Sequence, residues 1–431
     1  MRSTTLALAC TLLLLLLFET ASAQVTGAEA EAVSLTPLTL QEALARAAVA
    51  SPGLRTKQAQ LAAAEGASRD AHALLFNNPQ LSGDLTRRQV PQAGIGNERR
   101  REWGAGVSQS LETGGQRRFR RDATDTALTA LRHEISDTQR QVRSEVTSQF
   151  YRVLTLQQRV ELETQAARLF DDAAVAVQKR RLAGEDTKLD ANVARVEAER
   201  ARNQLALATK QLIDARAELA ARLQLAGPEL PQAQGDLTPA TAAYSLDDLL
   251  NSLEAQPRLL AFAEREKSAN AQLRLENASV YPDVTVGVNV AREGPGTARE
   301  RLTTVSVSVP LPIFKRNAAG IGQAATAAAQ ARIEREAALR DARANVQALW
   351  FKFASQAQRV RRLQESVLPT LTENQSLSVK SRQAGQIGLL ELIVVNRQAL
   401  DAQRDLSDAL SDYHTTRSAL EFAAGWPREG N

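Results

Sequence analysis

The sequence predicts a mainly α-helical protein with four β-strands, built as two structural repeats. Three observations favour this fold class. Aromatic residues make up only 4% of the 431 residues, the second half repeats the first with a shift of about 200 residues, and two very long helical stretches follow the predicted strands. So few aromatics cannot fill several compact cores, whereas this composition is typical of long packed helices.

The first 23 residues are typical of a secretory signal. Arg2 supplies a positive charge, Leu12 to Phe18 form a short apolar run, and small residues precede a cleavage site after Ala23. The run is shorter than the roughly 20 residues of a membrane-spanning helix, and no comparable run follows. We expect an exported mature chain that begins at Gln24.

Cysteine and histidine usage argues against a metal or redox site. Cys10, the only cysteine, lies inside the signal; lipid attachment there is the less favoured interpretation, because the strongest apolar run follows it. His72, His133 and His414 show no ligand spacing and are predicted to be surface helix residues.

Motifs for catalysis or phosphate binding are lacking, so we expect no enzyme, no metal and no cofactor. The 53 basic and 49 acidic residues alternate along helix faces, which argues against nucleic acid as a partner.

Prolines and glycines that begin or end the predicted helices and strands recur in the same order in both halves. The matched segments are Leu38–Leu44 with Tyr244–Leu250, Ser51–Leu54 with Gln256–Leu259, Asn78–Leu81 with Tyr281–Val284, Val107–Leu111 with Val307–Leu311, and Arg181–Gly184 with Arg382–Gly385. Each copy is predicted to run as helix, strand, loop, strand, long helix, turn, long helix, with Pro52 and Pro257 opening helices. The predicted divisions are signal 1–23, linker 24–37, first repeat 38–227, linker 228–243, second repeat 244–427 and tail 428–431.

Each repeat contributes one predicted β-hairpin. Valines alternate with small polar residues over Val284–Val290 and Val305–Val309, which indicates one apolar and one wet face. The first hairpin, Gln80–Arg88 and Trp103–Leu111, is less regular and has a Gly- and Arg-rich loop over Gln89–Glu102. Four strands cannot close a barrel, and lipid does not tolerate unpaired backbone, so an apolar face in a bilayer predicts a trimer with twelve strands. A small sheet packed on helices in a soluble protein is the alternative.

The predicted helices Gln116–Leu182 and Ala318–Ala384 are too long for a globule, at about 100 Å each. Apolar residues in the first recur at spacings of three and four, which predicts a packing seam. The seam consists of Val142, Val146, Phe150, Val153, Leu156 and Val160.

Each long helix ends in an Ala-Gly pair before the chain doubles back. Gly184 and Gly385 suit the left-handed residue that ends a helix, and Asp186 or Thr187 can cap the next helix. The residues of the turns either only cap the helices, or the turns form the far tip of a tunnel and contact a partner protein there.

The segments Val107–Arg118 and Val307–Asn317 carry a resemblance to the TolC family of outer-membrane efflux proteins, nearest to its CzcC- and CusC-like heavy-metal branch. The resemblance extends over about Leu38 to Pro427. Many relatives in this branch carry a lipid-anchored cysteine at the mature N-terminus, where this chain has Gln24.

The resemblance implies a homotrimer with a twelve-stranded barrel in outer-membrane lipid and a periplasmic barrel of helices. It further implies passive conduction, with an RND-type inner-membrane pump supplying energy and a periplasmic adaptor (a membrane fusion protein) coupling the two. The implied adaptor-contact residues at the tips are Gly184, Thr187, Leu189, Gly385, Gly388 and Leu389. The implied strand–helix junctions are Gly114, Gly115, Pro310 and Pro312. Export of metal ions is implied only by the resemblance to the heavy-metal branch of the family.

Three functions therefore remain open at the level of sequence. The first is an efflux duct for heavy-metal cations. The second is a duct of the same architecture for polypeptide secretion or drug efflux, and nothing in the sequence separates these two. The third is a periplasmic coiled-coil scaffold that transports nothing.

Overall fold

The computed structural model describes residues 35–92, 94–225, 230–239, 244–294 and 298–426. The signal segment and Ala23 lie outside this part of the chain. The first half contains β1 (Leu35–Thr39), α1 (Leu40–Ala50), α2 (Pro52–His72), β2 (Gln80–Gln92), β3 (Ile95–Leu111), α3 (Gln116–Leu182), α4 (Lys188–Arg222) and β4 (Leu230–Gln234). The second half contains α5 (Leu246–Ser252), a 3₁₀ turn (Leu253–Ala255), α6 (Pro257–Ala278), β5 (Val284–Glu293), β6 (Glu300–Ser308), α7 (Ala318–Arg362), a π-helical segment (Leu363–Val367), α8 (Leu368–Gln383) and α9 (Leu389–Ala424).

The two repeats begin with the same local chemistry. Thr39 caps α1 and exchanges hydrogen bonds with Glu42, while Ser245 caps α5 and exchanges them with Asp248. These capping boxes satisfy backbone donors that a helix start leaves free. Pro52 and Pro257 stand at the first position of their helices, as predicted.

The four longer strands form one antiparallel sheet in the order β2-β3-β5-β6. The hairpin predicted for the second repeat is confirmed, although its strands extend further toward the loop, over Val284–Glu293 and Glu300–Ser308. The loop predicted over Gln89–Glu102 is wrong. Strand pairing continues through it to Val90 and Glu98 and, after a register shift, to Gln92 and Ile95. The chain reverses between Gln92 and Ile95, where Gly94 has a φ of 84°. The charged residues of this segment can belong to the two strands because successive strand residues point to opposite faces of the sheet.

Two segments predicted as linkers contribute a second, smaller sheet. β1 and β4 pair in parallel, from Leu35 beside Leu230 to Thr39 beside Gln234. The Gln157 side chain, on α3, binds both the N–H and the carbonyl of Ala233, at 2.9 Å each. This pairing ties the end of the first repeat to its beginning.

Two buried clusters hold the helices together. The larger contains Val146, Phe150 and Val153 of α3, which confirms the predicted seam, and joins them to Leu219 of α4 and Leu420 of α9. The smaller lies close to the helical turns and is rich in alanine; it contains Ala166, Ala167, Phe170, Val177, Ala194, Ala198, Ala201, Leu389, Ile393 and Leu400. Small residues at this end let the helices approach closely.

The long helix of the first repeat is continuous, but its counterpart is interrupted, so the helix predicted over Ala318–Ala384 is wrong in one place. The π-helical segment Leu363–Val367 separates α7 from α8. Pro369 follows two residues later and has no N–H to donate to the Glu365 carbonyl. The wider π turn accommodates the missing bond, as such bulges do within long helices.

Candidate functional site

The described residues contain no group of three or more His, Cys, Asp or Glu side chains able to hold a metal ion. None of the helices in the described part of the chain combines the length and the apolar character needed to cross a bilayer. Three surfaces carry the predicted functional features: the four-stranded sheet, the strand–helix junctions and the helical turns.

The sheet has two chemically different faces, which the strand register defines. Odd-numbered residues of β2 and β3 share a face with even-numbered residues of β5 and odd-numbered residues of β6. On β3 this face is exposed (Trp103 45%, Val107 50%), whereas Glu102 on the other face is 5% exposed. We name the side that carries Trp103 and Val107 the convex face and the side that carries Glu102 the concave face.

The convex face is apolar over most of its height. Its apolar residues are Leu81, Leu85, Trp103, Val107, Leu111, Val284, Val286, Val288, Val290, Val305 and Val307. From Leu111 to Trp103 the strand rises about 27 Å, which at the usual tilt gives a height of roughly 20 Å, close to the apolar band of a membrane barrel.

The concave face is polar and mostly acidic. Its charged residues are Asp84, Glu98, Glu102, Glu293 and Glu300, together with Arg88 and Arg100. Both arginines lie beside carboxylates, with Arg88 Nη1 3.6 Å from Glu102 Oε1 and Arg100 Nη2 3.0 Å from Glu98 Oε2. Small residues fill the rest of this face on β3, where a Cβ on Gly106 would lie 3.2 Å from the Val288 carbonyl oxygen.

The first strand–helix junction is packed against the second repeat. Gly115 caps α3 with a φ of 79°. Gly114 donates from its N–H to Gln116 Oε1 at 2.7 Å, and Gln116 Nε2 donates to the Tyr281 carbonyl at 3.3 Å. A Cβ on Gly114 would lie 2.6 Å from the carbonyl oxygen of Ala278. Gly114 therefore occupies a close contact between the repeats, whereas Gly115 provides the left-handed cap of α3.

The second junction leaves the sheet through Pro310 and Pro312, which follow the end of β6. Asn317 takes the place of Gly115 as the helix cap, with a φ of 52°. Its Nδ2 donates to the backbone carbonyl of Glu276 at 3.0 Å and to that residue's Oε2 at 2.7 Å. Sequence reasoning missed Asn317, although asparagine is the residue other than glycine that most readily adopts this conformation.

The helical turns have the predicted conformation. Gly184 and Gly385 have φ values of 83° and 72°. Thr187, and not Asp186, caps α4: its hydroxyl donates to Asp190 Oδ2 at 2.7 Å and accepts from the Asp190 N–H at 3.1 Å. Gly388 occupies the equivalent position at the start of α9 without a side-chain cap.

The two turns lie side by side and are joined by charge. The Asp186 carboxylate, which is 8% exposed, lies 3.1 Å from Arg180 Nε and 3.5 Å from Arg382 Nη2 of the second turn. Leu189 is 67% exposed, but Leu389 is buried in the smaller cluster. The exposed leucine of the second turn is Leu390, which the sequence-based selection left out.

One of the three histidines is not a surface residue, so that prediction is wrong for His414. Its ring stacks on Tyr151 with centroids 4.0 Å apart, and its Nε2 lies 3.1 Å from the Leu237 carbonyl oxygen. Burial lowers the pKa of His414, more than the Leu237 contact raises it. A buried neutral imidazole in an aromatic cluster has a structural role.

A sheet with one apolar and one polar face, continued by long helical hairpins, is compatible with the wall of a membrane duct. The sequence profile described as "Outer membrane efflux protein" matches residues 40–223 and 249–426. The chain belongs to this family. It is an outer-membrane efflux channel of the kind found in tripartite systems, whose helices extend into the periplasm, and not an enzyme.

Individual proteins agree with this assignment. The cobalt-zinc-cadmium resistance protein CzcC of Cupriavidus metallidurans is 28% identical over 379 residues, which cover 88% of this chain and 86% of CzcC. A membrane protein from Pseudomonas aeruginosa has the same fold, with a TM-score of 0.78, 18% identity and coverage of 90% and 92%. CusC matches with a TM-score of 0.74 and 18% identity, over 91% of this chain and 93% of CusC. The predicted fold class and family are thereby confirmed, while the roles of the tip and junction residues stay predictions.

Proposed function

We propose that this chain is the outer-membrane duct of a heavy-metal efflux system, working as a homotrimer with a periplasmic adaptor and an RND-type inner-membrane pump. The observation that carries the choice of cargo is the 28% identity to a cobalt-zinc-cadmium resistance protein over most of both chains. The duct conducts passively, and the pump supplies the energy.

The open edges of the sheet support the trimer. β2 and β6 lie at the two edges of the four-stranded sheet, and each has a partner on one side only. Exposed edges have unpaired N–H and C=O groups that lipid cannot satisfy. Pairing β6 of one protomer with β2 of the next closes twelve strands into a cylinder, with the apolar convex face toward lipid.

The concave face supports a cationic cargo. In the proposed barrel it lines the lumen, where each protomer contributes five carboxylates against two arginines. Rings of acidic side chains favour cations in a pore. This charge balance favours metal ions over anionic drugs and is the argument for cargo that comes from the chain itself.

The helical turns support contact with an adaptor. They lie at the end of the molecule opposite the sheet, and Leu189 and Leu390 present half or more of their surface to solvent. The Asp186–Arg382 pair holds the two turns of one protomer together, so an adaptor that separates or rotates them would widen the entrance of the duct.

The test is deletion of the gene from its native cell and complementation with the full-length chain. We expect the deletion strain to accumulate Co²⁺, Zn²⁺ or Cd²⁺ and to lose resistance to them, and complementation to restore both. Sensitivity to drugs or loss of a secreted polypeptide, with metal resistance unchanged, would overturn the cargo and favour the alternative ducts. If the chain were absent from outer-membrane fractions, both duct functions would be excluded and the periplasmic scaffold would be the remaining interpretation.

A further inference from the structure

The end of the sheet away from the helices has arginines on its convex face. Register places them on the same face as the valines. They are Arg87, Arg99, Arg101, Arg292 and Arg301, and all five are exposed. We name this set the convex arginines.

The convex arginines have no acidic neighbour on their own face. All five carboxylates of the described strands lie on the concave face, where they accompany Arg88 and Arg100. Within the described residues, no ion pair involves a convex arginine. The segregation of the carboxylates is complete in both hairpins, although arginine and glutamate are adjacent in sequence on β3, β5 and β6.

The arrangement also places like charges directly opposite each other. Arg87 pairs across the ladder with Arg101, and Arg292 with Arg301. Like charges at such positions destabilise a sheet. An anion that bridges the two guanidinium groups would remove this repulsion, and the planar donor fork of arginine matches phosphate oxygens.

The position of the convex arginines relative to the apolar residues of the convex face determines which part of the membrane they contact. Trp103 pairs with Arg292 at the upper edge of the band, and Arg101 is the next convex residue on β3. Tryptophan at such an edge is typical of the headgroup level of a membrane. The arginines above it therefore face the outer-leaflet headgroups, provided the chain stands in the membrane as proposed above.

We propose that the convex arginines form a binding site for the phosphate groups of a phosphorylated glycolipid of the outer leaflet. Arg292 and Arg301 contact phosphates at the edge of the hydrocarbon, and Arg87, Arg99 and Arg101 contact those further out. The site anchors the barrel at the correct height and neutralises the arginine pairs. This inference rests on the proposed function, because it requires the barrel orientation.

The test uses the full-length trimer in detergent and measures lipid binding by native mass spectrometry. The probes are lipid A with both phosphates and lipid A from which they have been removed. The test variant is R87Q/R101Q/R292Q/R301Q, and the matched control is R88Q/R100Q on the concave face. We expect the wild type to prefer the phosphorylated lipid, the test variant to bind it at least tenfold more weakly, and the control to remain within twofold.

Equal binding of the two lipids, or unchanged binding by the test variant, would overturn the inference. Two half-variants, R87Q/R101Q and R292Q/R301Q, keep the test decisive if the fourfold variant does not assemble; each is expected to lose part of the affinity. Conductance in planar bilayers separates the two proposals. A conducting trimer without phosphate-dependent lipid binding contradicts only this inference, whereas a wild type that neither trimerises nor conducts contradicts the proposed function.

Discussion

Arg404 of α9 binds the carboxylate of Glu163 of α3 through two hydrogen bonds, from Nε to Oε1 at 2.9 Å and from Nη2 to Oε2 at 2.6 Å. Arg159 Nε donates to the same Oε1 at 2.8 Å, and the Glu163 side chain is 1% exposed. Burial by itself would raise the pKa of Glu163, but the hydrogen bonds from Arg404 and Arg159 outweigh it and lower the pKa. The contact joins helices from different repeats, α3 and α9.

Replacement of Glu163 by alanine should lower the free energy of unfolding by about 3 kcal/mol, because it leaves two guanidinium groups without their buried partner. The ion pair contributes fully to the free energy of unfolding when the pH is above the ordinary pKa of a glutamate carboxyl. This contribution is lost as the pH falls through the lowered pKa of Glu163 in the folded protein. Denaturant unfolding followed by fluorescence measures the difference. The control is Asp214→Ala, which removes the exposed 2.7 Å pair with Lys210 and should cost about 0.5 kcal/mol or less. Similar losses for the two variants would contradict the assignment.

His414 should make the protein less stable in mild acid. Its pKa is lowered in the fold, so protonation favours the unfolded chain, and stability falls as the pH drops below the ordinary histidine value of about 6.5. Nearby charges act in opposite directions, with Arg417 lowering the pKa and Asp236 raising it. The variant His414→Gln cannot titrate and can still donate to the Leu237 carbonyl. We expect its Tm to fall less than that of the wild type between pH 7.5 and 5.5, and parallel curves would rule out this role.

The junction should not tolerate a side chain at Gly114. In Gly114→Ala the new methyl group would lie 2.6 Å from a backbone oxygen that cannot move independently, so we expect a loss of about 1–3 kcal/mol and less trimer in outer-membrane fractions. Gly53→Ala is the control, since nothing lies within 4 Å of its added Cβ. Equal trimer yields from both variants would show that the junction adapts.

The tips should affect coupling and not assembly. No atom lies within 4 Å of a Cβ added at Gly184 or Gly385, but both have positive φ, so valine there costs about 1–2 kcal/mol of local strain. We expect Gly184→Val and Gly385→Val to reach the outer membrane as trimers and to lose metal resistance. Gly322→Val, at an exposed helical glycine with equally open surroundings, should keep it. Normal resistance in both tip variants would count against the tips as coupling sites.

The concave carboxylates should set the ion preference of the pore. The variant Asp84→Asn/Glu293→Gln/Glu300→Gln removes three of the five carboxylates of each protomer. Reversal potentials in a salt gradient are expected to shift from cation preference toward none, because fixed negative charge raises the local cation concentration. Replacement of Arg88 by glutamine should shift them the opposite way. An unchanged reversal potential in the triple variant would place the selective region elsewhere.

Features with a local cause could be predicted from the sequence. Proline at a first helical turn, glycine at a left-handed helix end and valine alternation each depend on neighbours a few residues away, so Pro257, Gly184 and Val284–Val290 were placed correctly. The family resemblance supplied the arrangement of these elements.

The remaining features depend on contacts distant in sequence. The strand Leu230–Gln234 contains a proline and no clear alternation, and it exists because Leu35–Thr39 pairs with it. The burial of His414 follows from stacking on Tyr151 of another helix. Leu389 and Leu390 are chemically alike, and only packing against Phe170 and its neighbours decides which of them is buried. Spacing along one chain contains none of this information.

The parallel pairing of β1 with β4 has an evolutionary consequence. Leu35 precedes the first repeat, Leu230 follows it, and the two lie side by side. A unit whose exit is adjacent to its own entrance can be duplicated in tandem without any segment that spans the length of the molecule. The parallel pair thus allows one hairpin and one helical arm to be followed directly by a second copy whose sequence differs within the same frame.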